Sequence, residues 1–170
     1  MGLWKAGLSG GVYKKLYDFP ADNPNVLHIA AESHFSGPAF GDDDVPIYER
    51  FFAGGIGSFR GFAFQGIGPR QTVPPGNAPV GGRFLFLGTI EYIIPLYKET
   101  YQMYIFNDSG TLTDTPRASA FDQLRSTVGV GFQLNVPGMG IPLILNFAVP
   151  LKSQPRDEEE FFSFALGFGF

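Results

Sequence analysis

Apolar and polar residues alternate with a period of two along most of this chain, and that period predicts strands. In RSTVGVGFQLNV, residues Ser126, Val128, Val130, Phe132, Leu134 and Val136 fall on one face. Arg125, Thr127, Gly129, Gly131, Gln133 and Asn135 fall on the other, so an apolar face opposes a small and polar one. The alternation runs longer than a usual soluble strand. FFSFALGFGF repeats it, with Phe162, Phe164, Leu166, Phe168 and Phe170 against Ser163, Ala165, Gly167 and Gly169. In IPLILNFAVPL, Leu143, Leu145, Phe147 and Val149 share a face opposite Asn146 and Ala148. RFLFLGTIEYII is less clean: Phe84, Phe86, Ile90, Tyr92 and Ile94 oppose Arg83, Thr89 and Glu91, but Leu85 and Leu87 interrupt the polar row.

Three further segments read as strands: LWKAGLSGGVYKKLY from Leu3, NVLHIAAESHFSG from Asn25 and TYQMYIFNDSG from Thr100. Pieces rich in Gly, Pro, Asn and Asp separate them, as turns require. No stretch shows a helical period. The expectation is an all-β, antiparallel, up-and-down arrangement of about seven strands, or eight if one is missed. LYKET and VPGMG are short connections, while residues 42–79 and TLTDTPRASAFD are long. Short turns at one end and long loops at the other is the layout of a transmembrane β-barrel. A soluble sandwich or lipocalin-like barrel would alternate too, but with shorter strands and a charged exterior. Here the outward rows are Phe, Leu, Val and Ile.

Composition narrows the picture. A chain of 170 residues suffices for one domain with a core. Charged residues are only 16% and the net charge is −4, which gives no reason to expect a nucleic-acid partner. The absence of cysteine excludes a disulfide scaffold and thiolate metal sites within this chain. No apolar run reaches the length of a transmembrane helix. MGLWKAGLSGG lacks the basic start and apolar stretch of a secretory signal, and Ala6 stands where a myristoylation motif needs Ser or Thr. An outer-membrane protein with this N-terminus is expected to be a fragment of a longer chain.

Candidate chemistry concentrates in RFFAGGIGSFRGFAFQGIGPR, from Arg50 to Arg70, where glycines and phenylalanines surround Arg60. Glycines 54, 55, 57 and 61 allow sharp turns and close approach. A phosphate-cradling loop is rejected, because Gly55-x-Gly57-x-x-x-Gly61 is one residue too long and no helix follows. His28, Glu32 and His34 share a face, but two residues of strand rise separate face neighbours by ~6.8 Å, and four residues separate His28 from Glu32 by ~13 Å. A polar lumen face accounts for them better than a metal site, and no metal or cofactor is expected. No nucleophile elbow or cleft carboxylate pair appears, so no catalytic residue is assigned and an enzyme is not expected. DEEE at 157–160 reads as a solvated turn.

FFAGGIGSFRGF followed by GIGPR closely resembles the long sixth loop of BamA-type outer-membrane assembly factors, the bacterial surface antigen family, whose core is Arg-Gly-Phe. VGGRFLFLGTIEYIIPL, FNDSGTL, STVGVGFQLNVPGMGIPLILNFAVPL and EEFFSFALGFGF resemble the successive strands after that loop, and LWKAGLSGGVY and NVLHIAAESHFSG the two before it. The resemblance implies the last seven strands of a sixteen-strand barrel, spanning 1–170 as one segment. It implies a loop over about 42–80 that folds into the lumen, and places the earlier strands and the periplasmic POTRA domains outside this chain. It further implies that Arg60, Gly61 and Phe62 pin the loop, with Glu91 and Asp108 as acidic partners on the lumen wall. Phe59 and Phe62 are expected to pack around the ion pair. Phe164, Leu166, Phe168 and Phe170 resemble a C-terminal β-signal, with Ala165 where glycine is usual.

The function so implied is non-enzymatic folding and insertion of outer-membrane proteins. Its partners would be the lipid bilayer, unfolded outer-membrane proteins, the missing strands and POTRA domains, and accessory lipoproteins. A protein-translocation pore of the same family is the alternative, either a two-partner secretion transporter or a patatin-type autotransporter barrel. A small self-assembling barrel is a third reading.

Overall fold

The computed structural model describes residues 2–18, 23–39, 44–73, 76–97, 100–115, 122–135 and 141–167. Seven strands follow one another: β1 (Leu3–Asp18), β2 (Pro24–Pro38), β3 (Phe84–Tyr97), β4 (Tyr101–Thr113), β5 (Arg125–Asn135), β6 (Pro142–Lys152) and β7 (Phe162–Leu166). They form one antiparallel sheet in sequence order, β1 to β7, with no crossover. Up-and-down pairing of sequence neighbours needs only short connections at one end, and the period-two pattern supplies each strand with two distinct faces. Among the described residues β1 and β7 each pair on one side only, so the sheet is open. Six strands have 11 to 16 residues, enough to cross a bilayer at a barrel's tilt.

The alternation in RSTVGVGFQLNV survives as register. Gly129 lies opposite Phe106 and Ala148, and Val128 opposite Asn107 and Val149. Following these pairs across the sheet assigns one face to Val12, Ile29, Ile90, Ile105, Val128, Val149 and Phe164, all exposed. That row is the lipid-facing side of a barrel strand set. The inner face carries His28, Glu91, Tyr104, Phe106, Asp108, Thr127 and Asn146.

Strand bounds differ from expectation by several residues in two places. β3 continues through Pro95 to Tyr97, tolerated by a register shift between Pro95 and Tyr97. β4 runs on through Thr113, because Thr111, Leu112 and Thr113 pair with Phe86, Leu85 and Phe84. Phe168 and Phe170 lie outside the described residues, so only Phe162, Phe164 and Leu166 of the terminal row are placed. All three are exposed on the outer face of β7.

The segment between β2 and β3 lies against the inner face and supplies the core. Phe59, Phe62 and Ile67 from this loop are buried with Leu85, Leu87 and Leu112 from the wall. Leu85 and Leu87 interrupt the polar row of β3 because this apolar loop seats on them. The loop is tied to itself by bridges at Phe51–Gly82, Ala53–Ile67, Gly55–Phe59 and Arg70–Pro79. A short 3-10 turn, Ile47–Glu49, leads into it.

Candidate functional site

Arg60 reaches the wall because the backbone on either side of it is fixed. Phe59 is fully buried before it. Gly61 follows with φ +89°, a conformation that L side chains rarely adopt. A Cβ at Gly61 would lie 2.9 Å from Thr127 Cγ2 and 3.2 Å from Ala148 Cβ, so only glycine lets the loop approach β5 and β6 this closely.

The guanidinium then meets two strands. Its Nε donates to Asp108 Oδ2 at 2.8 Å and its Nη2 to Asp108 Oδ1 at 2.6 Å, a bidentate fork. Its Nη1 donates to Glu91 Oε1 at 2.5 Å. The backbone N–H of Arg60 also donates to Asp108 Oδ2, at 3.2 Å. Thr89 Oγ1 donates to Asp108 Oδ1 at 2.8 Å, so this nearly buried carboxylate has several donors. A lysine could not reproduce that fork. Burial by itself would make the guanidinium lose its proton more readily. The hydrogen bond and charge of Asp108, then those of Glu91, outweigh burial and raise its proton affinity, so Arg60 stays charged.

Aromatic rings cover the guanidinium, though not the two expected. Phe59 and Phe62 meet edge to face at 5.2 Å inside the apolar cluster. The ring against the charge is Phe106, 3.7 Å from the guanidinium carbon, with Tyr104 at 5.8 Å. Both rings lean over β5, where the inner face offers only hydrogen. A Cβ at Gly129 would lie 2.5 Å from the Phe106 ring, and one at Gly131 would overlap Tyr104. Tyr104 reaches past Gly131 to donate to Asn146 Oδ1 at 2.6 Å. The glycines of VGVGF therefore seat the aromatics that flank Arg60.

His28 and Glu91 face each other across β2 and β3, with His28 Nδ1 2.8 Å from Glu91 Oε2. His34 pairs instead with Glu32, at 3.3 Å. Among the described residues no group of three or more His, Asp or Glu could hold a metal.

A second set of contacts joins the loop to the connection before β7. Ala63 N donates to Glu158 O, Glu158 N to Gly66 O and Glu160 N to Gly61 O, at 2.8, 2.9 and 3.1 Å. Arg70 Nη1 donates to Glu158 Oε1 at 2.7 Å and to Asn77 O at 2.8 Å. Arg125 at the head of β5 grips Asp157 through Nε and Nη2 at 2.7 and 2.9 Å, and both side chains are almost fully buried. The reading of DEEE as a solvated turn is thus corrected for its first half. Asp157 is an internal ion-pair partner and Glu158 a loop contact, while the Glu159 and Glu160 side chains remain exposed. A charge run is usually hydrated, and nothing local in it marks Asp157. Its partner lies 32 residues earlier.

The Omp85 superfamily domain model matches residues 3–170. The outer membrane protein assembly factor BamA of Neisseria meningitidis serogroup B is 24% identical over 188 residues, covering 93% of this chain and 23% of that protein. The protein of the same name from Nitratidesulfovibrio vulgaris is 32% identical over 133 residues, covering 75% of this chain and 16% of that one. The crystal structure of BamA from Haemophilus ducreyi lacking POTRA domains 1–3 superposes with a TM-score of 0.78. It is 25% identical and covers 95% of this chain and 34% of that one. The chain thus spans less than a quarter of either curated relative.

Proposed function

Because this chain belongs to the Omp85 superfamily, we propose that it is the C-terminal barrel segment of a bacterial outer-membrane assembly factor that folds and inserts other outer-membrane proteins. The observation that carries this reading is the match of the family domain over residues 3–170, joined to two relatives that are both named outer membrane protein assembly factors. In this reading residues 1–170 are one barrel segment. Earlier strands and POTRA domains belong to the rest of the protein, and the loop over about 42–80 lies in the lumen. The one-sided pairing of β1 and β7 supports a segment that needs further strands rather than one that closes alone.

Arg60, with Gly61 and Phe62, holds the loop against Glu91 and Asp108. A buried ion pair adds little net stability, so its role is to specify one position for a long loop. Phe164 and Leu166, with Phe168 and Phe170 beyond the described residues, serve as the terminal recognition strand. Insertion works through strand edges and the lipid boundary, with no catalytic group. The partners are the bilayer, unfolded outer-membrane proteins and accessory lipoproteins.

The test is reconstitution of the full-length protein in lipid vesicles with a urea-unfolded outer-membrane protein as client. Faster appearance of the client's heat-sensitive, folded gel band than in empty vesicles is the expected result. No acceleration, together with passage of a secreted passenger into the vesicles, would replace this reading with the translocation pore.

A further inference from the structure

Glu91 is engaged at both oxygens. Arg60 takes Oε1 and His28 lies 2.8 Å from Oε2, so the carboxylate has no freedom to turn away from the loop. The histidine is itself held. Tyr13 of β1 lies opposite it in register and stacks on it, with ring centroids 4.0 Å apart and planes 3° from parallel. The side chains of His28 and Glu91 are each only 16% exposed, so water competes weakly for the bond between them. Beside them opens a cavity of about 280 Å³, lined by Tyr13, His28, Arg60, Glu91, Gln102 and Tyr104 among others. This space would let Glu91 swing aside if its second oxygen were released.

We infer that His28 is a positioning residue for the Arg60 cluster: it acts through Glu91, holding that carboxylate in the one orientation that meets the loop arginine. The inference rests on the reading that Arg60 retains the loop in the lumen. It extends the wall's grip from β3 and β4 to β2 and, through the Tyr13 stack, to β1. The donor at Nδ1 does the positioning, and the ring's aromatic surface serves only to aim it.

Two substitutions separate these parts. His28→Phe keeps a ring for Tyr13 but removes the donor. His28→Gln keeps a donor but removes the ring. The readout is cleavage within 42–80 at low protease in the full-length protein in lipid vesicles, where the rate tracks the released population. Heat-sensitive gel mobility shows that each variant is folded. His28→Phe is expected to raise the cleavage rate about tenfold, the size of a hydrogen bond to a charged group, and His28→Gln by about twofold or less. In a Glu91→Gln background, His28→Phe is expected to add about twofold or less, because the group it acts through has changed.

Wild-type cleavage in His28→Phe overturns the inference, whether or not His28→Gln releases the loop. So does a His28→Phe effect that persists undiminished beside Glu91→Gln. Arg60→Ala separates this failure from failure of the underlying reading. If Arg60→Ala leaves cleavage unchanged, the loop was never held there. If it raises cleavage while His28→Phe does not, only the role of His28 falls.

Discussion

The Arg60 guanidinium carbon lies 3.7 Å from the centre of the Phe106 ring, while the same group forks onto Asp108, two residues further along β4. One strand thus offers the cation both a face of π density and a carboxylate. Removing the cation should therefore leave Asp108, which is 2% exposed, with an uncompensated charge. Breaking one side of a buried pair costs about 3–5 kcal/mol, whereas the pair's own net worth is small. Arg60→Ala is expected to lower the urea midpoint accordingly. Arg60→Ala combined with Asp108→Asn should recover a substantial part of the loss, and urea titration of the folded band checks both.

Gly131→Ala or Gly129→Ala should disturb Arg60 without touching it. A methyl group at either position enters the volume of Tyr104 or Phe106. Overpacking of this kind costs about 1–3 kcal/mol, and the displaced ring no longer covers the guanidinium. The expected result is faster cleavage of the loop, with altered near-ultraviolet circular dichroism reporting the moved aromatic.

Asp157 and Glu158 are adjacent, yet their truncations should differ. Asp157 is 2% exposed at its side chain and takes a bidentate Arg125, so Asp157→Ala is expected to cost about 3–5 kcal/mol. Glu158 is half exposed, and Arg70 keeps the carbonyls of Asn77 and Gln65 when it goes. Arg70 is itself buried, so Glu158→Ala should still cost about 1–3 kcal/mol, less than Asp157→Ala because two carbonyls remain on the guanidinium. The paired replacement of Arg125 by Met and Asp157 by Leu should restore most of the first loss. Urea midpoints of the variants decide.

On β5, Val130 faces outward and Gln133 lines the inner cavity. Val130→Arg is expected to cost about 2–4 kcal/mol in a bilayer, as a lipid-facing charge does near the midplane. Gln133→Arg, in the polar interior, should change stability by about 0.5 kcal/mol or less. Equal costs measured in lipid vesicles would reverse the assignment of faces.

The sheet was legible wherever a strand met lipid on one side and polar space on the other. β5 is the clear case, because its outer row is apolar and its inner row is small or polar along its whole length. β3 was harder because Leu85 and Leu87 answer to the loop rather than to lipid or lumen, and a one-dimensional period cannot display a docked segment. Arg60, Glu91 and Asp108 became candidates through a family motif, not through spacing. What stayed hidden was everything set by register between distant strands. His28 meets Glu91 across 63 residues, and Phe106 meets Arg60 only once β4 is aligned beside β3. The terminal Phe164 and Leu166 were visible as an alternating row, and the structure places that row outward.

The backbone bonds that Gly61, Ala63 and Gly66 make with Glu158 and Glu160 have a consequence for the order of events during folding. The two groups lie almost a hundred positions apart, so the contacts close a long stretch of chain and are entropically late. The loop's inner half depends on backbone bonds to residues 158–160, which lie between β6 and β7, at the opposite edge of the sheet from β1. A chain still lacking its last hairpin can form the earlier strands but has no partner from that hairpin for the Ala63 N–H and the Gly66 carbonyl. Seating of the loop therefore comes late. It cannot be finished until the segment leading from β6 into β7 is in place, which makes the seated loop an internal record that the sheet has been laid down as far as β6.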